Sequence, residues 1–117
     1  MQAVFIYKTI HLVGLVIFLL GLGGAIAATR EQFKPYAILH GIGLFVMLLG
    51  GFGMQARLGY DILSPALVTK LLIWLVLGGL LVVAKRQVLP KAAIWSIVIV
   101  LAGAAAYIGV SKALPFA

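Results

Sequence analysis

Residues 3–28 read AVFIYKTIHLVGLVIFLLGLGGAIAA, with Lys8 the single formally charged side chain. An α-helix rises 1.5 Å per residue, so about 20 mostly apolar residues cross the hydrocarbon core of a bilayer. This stretch meets that requirement, and three more like it follow at roughly 36–56, 64–84 and 92–111. Short polar breaks separate them. Arg30 to Pro35 closes the first, with Pro35 setting up the next helix start. Arg57 to Pro65 contains Asp61 and a helix-starting Ser64-Pro65, and Lys85 to Lys91 forms the third break. The expected fold is an all-α integral membrane protein: one domain over residues 1–117, an antiparallel four-transmembrane-helix bundle with both termini on one side. A signal-peptide reading of residues 1–28 finds a cleavage-like run at Ala25 to Ala28, but residues 1–7 are too apolar for an n-region.

Composition leads to the same class. The 117-residue chain is 65% hydrophobic and 9% charged, where a soluble domain carries about a quarter charged residues. An ordinary globular domain is excluded. The absence of cysteine excludes disulfides, iron–sulfur clusters, thiolate zinc sites and cysteine nucleophiles. Glu31 and Asp61 are the only carboxylate side chains, which argues against paired-carboxylate catalysis. In such a chain the net charge of +7 reflects topology and anionic lipid, and no nucleic acid partner is expected. Positive residues mark cytoplasmic loops. Arg30, Lys34, Lys85, Arg86 and Lys91 lie in the first and third breaks, against Arg57 and Lys112 on the other side. Both termini are therefore expected outside the cytoplasm. Trp95, Tyr36 and Tyr60 read as interface anchors.

Ionisable side chains inside hydrocarbon are costly, about 2.5–3.5 kcal/mol for a lysine at mid-helix. Four fall within the spans: Lys8, His11, His40 and Lys70. Snorkelling accounts for either lysine, and hydrogen bonds to a neighbouring helix for either histidine. Depth separates the cases. His11 and Lys70 lie about eight and about six residues from the outer ends of their helices, hence at nearly one level. His40 lies about 15 Å deeper, so one iron cannot be ligated by both histidines of one chain.

Several groups gather at the outer level. Tyr7 and Lys8 stand one turn above His11, and Gly14, Phe18 and Gly21 follow along its face. The second span brings Gly50, Gly51, Gly53 and Met54, the fourth brings Gly103 to Ala106, and Trp74 lies one turn below Lys70. Small residues are the normal means of close transmembrane packing; clustered beside a histidine and a lysine, they also leave room for a planar ligand. On the second span, His40, Gly43, Met47, Gly50 and Met54 share one stripe. His with Met suits haem or copper, and Met at helical spacing also serves as gap-filling core. The metal-ligand candidates are His11 and His40.

Two segments resemble the HemJ-type membrane protoporphyrinogen oxidases. Lys8-Thr9-Ile10-His11, then Leu12 to Leu20 and Gly21, is similar to that family's first helix. Lys70-Leu71-Leu72-Ile73-Trp74-Leu75-Val76-Leu77 is similar to its lysine-led third helix. CopD-like copper-resistance proteins show a similar first helix. The resemblance covers about two of the four helices. The chain departs from the pattern in its shorter length, in the Ala-Thr-Arg-Glu that ends helix 1, and in His40.

The resemblance implies a b-type haem-binding redox protein of the bacterial inner membrane, with His11 as iron ligand and Lys70 as the essential, catalytic lysine. It would be an oxidase or electron carrier acting with quinone or a porphyrin substrate. Its expected cofactor-binding set is His11, Lys8, Lys70, Tyr7, Gly14, Trp74, Gly50, Gly51 and Met54, with Lys8 suited to a propionate. The sixth iron position falls to Lys70, to His11 of a second protomer in a homodimer, or stays open. Two other readings remain: a small transporter or channel for an anion or copper using Lys8, His11 and Lys70, and a structural membrane subunit.

Overall fold

Long apolar runs without internal proline propagate as uninterrupted helices, and the breaks stop them. The computed structural model describes residues 2–59 and 63–111. Tyr60, read above as an anchor, Asp61 of the second break, and Lys112, which follows the fourth span, lie outside the described residues. Helix α1 spans Gln2–Ala27, a 3-10 turn covers Arg30–Gln32, and α2 spans Phe33–Leu58. Helix α3 spans Pro65–Arg86 and α4 spans Lys91–Ser111. Among the described residues there is no strand. The four runs are helices long and apolar enough to cross a membrane. Helix α2 begins ahead of the expected position 36 because Pro35 sits in its first turn, where a backbone N–H has no intrahelical partner to lose.

The helix ends follow local chemistry. Ser64 caps α3, its Oγ accepting a hydrogen bond from the Leu67 N–H at 3.4 Å, with Pro65 in the first turn. Helices α2 and α3 both end in a left-handed residue, Gly59 at φ 71° and Gln87 at φ 55°. Glycine takes that conformation without strain and glutamine does not. Gly59→Ala is therefore expected to lower stability, and Gln87→Gly to raise it, each by up to about 1 kcal/mol. Denaturant unfolding in detergent micelles reads both, and equal signs for the two changes would contradict the capping argument.

Large apolar side chains stand outward on all four helices: Phe5, Leu20, Phe45, Leu72 and Ile99 are each more than half exposed. The exposed hydroxyls among them are satisfied within their own helices. Thr9, Thr69 and Ser96 donate to the carbonyls of Phe5, Pro65 and Ala92, one turn back, at 2.7–2.8 Å. Back-bonding of this kind is what an apolar surrounding requires of a hydroxyl.

The described residues divide into two compact units after Gly59. In the first, α1 and α2 touch along their lengths; in the second, α3 and α4 meet far more sparsely. Phe18, Leu22, Ala25, Ile26 and Met47 are buried on α1 and α2, and Leu77, Leu80 and Ile94 on α3 and α4.

Candidate functional site

Within the first unit one line of contact decides where the histidines stand. Along α1 it runs Tyr7, His11, Gly14, Phe18, Gly21; along α2 it runs Tyr36, His40, Gly43, Met47, Gly50. Steps of four and three keep one face of a helix turned to a partner. The glycines of each helix lie against the backbone of large residues on the other. A methyl group at Gly14 would overlap the backbone at Met47, and one at Gly21 that at His40. A methyl at Gly43 would overlap Phe18, and one at Gly50 would overlap His11. Partner numbers fall along α2 as they rise along α1. Toward the ends, the Tyr36 ring covers Gly24 and the Tyr7 ring covers Gly53. Small residues facing large ones allow backbones to meet, and dispersion over that contact holds a helix pair where burial from water offers nothing.

The two lines are copies of one another. Tyr7, His11, Gly14, Gly21 and Gly24 recur 29 positions later as Tyr36, His40, Gly43, Gly50 and Gly53, with Phe18 matched by Met47. The contacts obey the same exchange: Gly21 lies on His40 as Gly50 lies on His11, and Gly43 lies on Phe18 as Gly14 lies on Met47. Turning the hairpin end for end therefore swaps the two histidines.

His11 is half-buried, and its Nδ1 is 2.8 Å from the carbonyl oxygen of Met47. A carbonyl only accepts, so Nδ1 carries the proton and the lone pair of the neutral ring is on Nε2. Metal-binding imidazoles are oriented in this way. A carbon added at Gly51 would stand 3.3 Å from Nδ1, so the glycine gives the ring its clearance. His40 is 3% exposed and its ring centroid is 4.9 Å from that of Phe18, tilted by 45°. Its Nε2 atom is buried and makes no hydrogen bond, while the ring itself is held by that aromatic contact. Because His11 is level with Gly50, ten residues from His40, the two rings differ in height by about 15 Å.

The remaining candidates are placed as follows. Gly14 and Gly50, expected to leave space beside a ligand, are contact points whose free side is filled by the Met47 and His11 backbone. Tyr7 lies on Gly53, Lys8 is exposed, and Met54 is half-buried on α2. Lys70 and Trp74 are both half-buried on α3, in the second unit, and the indole Nε1 is buried without a hydrogen bond. At Gly103 of α4 an added carbon would meet open space. Among the described residues no group of three or more acidic or histidine side chains could hold a metal ion. Two features escaped the sequence reading: the Met47 carbonyl as the group that orients His11, and the repeat. Self-comparison at an offset of 29 would have found the second.

Comparison with protein-family models, with characterised proteins and with solved structures gives no match to this chain.

Proposed function

We propose that this chain is a membrane-embedded, b-type haem-binding redox protein whose iron is held by Nε2 of His11. One observation carries the reading: the 2.8 Å contact between His11 Nδ1 and the Met47 carbonyl sets the tautomer that directs Nε2 as ligand. Neutral imidazole is a standard axial ligand. A bound haem would supply one-electron chemistry at iron, and the protein would orient the His11 ring and keep an apolar surrounding. Lys8, exposed and three residues before His11, suits a propionate as a point charge.

The HemJ-type likeness of Lys8 to Gly21 and of Lys70 to Leu77 supports the same chemistry. It extends the proposal to an oxidase or electron carrier working with quinone or porphyrinogen, with Lys70 as the catalytic group. In this reading the four helices form an antiparallel bundle in a bacterial inner membrane. Both termini lie outside the cytoplasm, supported by Arg30, Lys34, Lys85, Arg86 and Lys91 in the first and third breaks. A homodimer is part of the proposal, since two-fold pairing is the commonest oligomer symmetry.

The test is the visible spectrum of protein purified in mild detergent from cells that make haem. A Soret band that survives purification and shifts on reduction is expected. Colourless protein that takes up no added haem overturns the reading. Anion flux by that colourless protein, lost in Lys70→Met, would assign transport instead.

A further inference from the structure

We propose that the connection between α3 and α4 is a docking surface for anionic phospholipid, with its cations on the phosphates and Val88 and Leu89 in the lipid beneath them. This surface is independent of the haem reading. The seven residues Lys85 to Lys91 read KRQVLPK, and every one of them is exposed. Helix α3 ends at Arg86, Gln87 turns the chain at φ 55°, and α4 begins at Lys91. Lys85, Arg86 and Lys91 therefore flank the connection on both sides. In the other two breaks the basic residues share their stretch with an acid, Arg30 and Lys34 with Glu31, and Arg57 with Asp61. This break contains none, and from Ile62 onward the sequence has no carboxylate side chain.

The carbonyl end of α3 favours Lys85 and Arg86, which accounts for two of the cations. It does not account for what lies between them and Lys91. Val88 is 64% exposed and Leu89 41%, in a connection that would carry small polar residues if water alone surrounded it. Apolar side chains bracketed by cations suit the boundary between headgroups and acyl chains. There the charged ends reach phosphate while the apolar pair leaves water. Both helices that meet here are long and apolar enough to cross a membrane, which would bring their connection to that boundary. Arg86 can hold a phosphodiester through two N–H groups, and Lys85 and Lys91 act as point charges. A zwitterionic headgroup carries its own ammonium beside the phosphate, so the surface selects lipids with net negative charge.

The experiment titrates the purified chain in neutral micelles, where orientation in a membrane plays no part, with phosphatidylglycerol or with phosphatidylcholine. Native mass spectrometry counts the lipid bound. Tighter binding of phosphatidylglycerol is expected. Each cation near an anionic surface contributes about a fivefold attraction, so Lys85→Gln, Arg86→Gln and Lys91→Gln together should weaken the tightest binding step by roughly a hundredfold. Arg30→Gln with Lys34→Gln also removes two cations, from the first break, and should leave that step unchanged. Val88→Asn with Leu89→Asn keeps the charge and should weaken the step severalfold. All five positions of the third break that are changed are exposed, so circular dichroism should show the helices intact. Equal binding of the two lipids, or an unaltered triple variant, overturns the proposal. An apolar-pair variant that binds as tightly as the wild type overturns the lipid assignment, leaving a charge site open to any soluble phosphate.

Discussion

Gly43→Ala is expected to lower the stability of the α1–α2 hairpin by about 2 kcal/mol, and Gly43→Ile to prevent the two helices from pairing at all. The carbon added at Gly43 would overlap the backbone of Phe18, a main chain that moves only if the helices separate. Gly21→Ala meets the His40 backbone and should behave alike. Gly24→Ala meets only the Tyr36 ring, which can swing aside, so its effect should be smaller. Gly23 and Gly41 are the controls, because an added carbon at either touches nothing within 4 Å. Removing a glycine from a helix interior there should stabilise by about 0.5–1 kcal/mol. Unfolding in mixed micelles, followed by circular dichroism, separates the classes. A Gly43→Ala protein as stable as Gly41→Ala would refute the backbone contact.

On the proposed haem-binding reading, His11→Ala is expected to abolish the Soret absorbance, with helical content unchanged. If His11 holds an iron, loss of that bond would exceed any packing effect of the same truncation, because His11 is half-buried and its backbone contact with Gly50 survives. A graded variant keeps the argument from resting on one deletion. Gly51→Ala would press a carbon to 3.3 Å from Nδ1, displacing the ring from the Met47 carbonyl by a few tenths of an ångström. Groups that orient a metal-bound histidine typically contribute 10–100-fold in affinity. Gly51→Ala should therefore weaken haem binding by roughly tenfold while leaving the spectrum recognisable. Titration with haem in micelles measures both. Full haem retention by His11→Ala would remove His11 from the role of ligand.

The helices were legible because apolar length is a local property. Runs such as Leu12 to Leu20 and Leu71 to Leu77 carry their own signal, and Ser64-Pro65 marks a start by its capping chemistry. The contact face of α1 was legible too, since Gly14, Phe18 and Gly21 fall on the histidine's side by spacing alone. What those glycines do was not legible. A glycine in a helix reads equally as room for a ligand or as room for a partner backbone, and only the partner's position tells which. The structure gives Gly14 and Gly50 to the partner helix and Gly51 to the His11 ring.

Composition and hydropathy by themselves determined four apolar helices and the few polar groups they carry, because a helix satisfies its backbone hydrogen bonds within one segment and a long apolar run therefore needs no partner to form it. Tertiary structure alone decided the register that sets Gly21 under His40 and Gly50 under His11, and the carbonyl that fixes the His11 tautomer. Those depend on which atoms of one helix reach those of another, and spacing along a single chain contains no such distance.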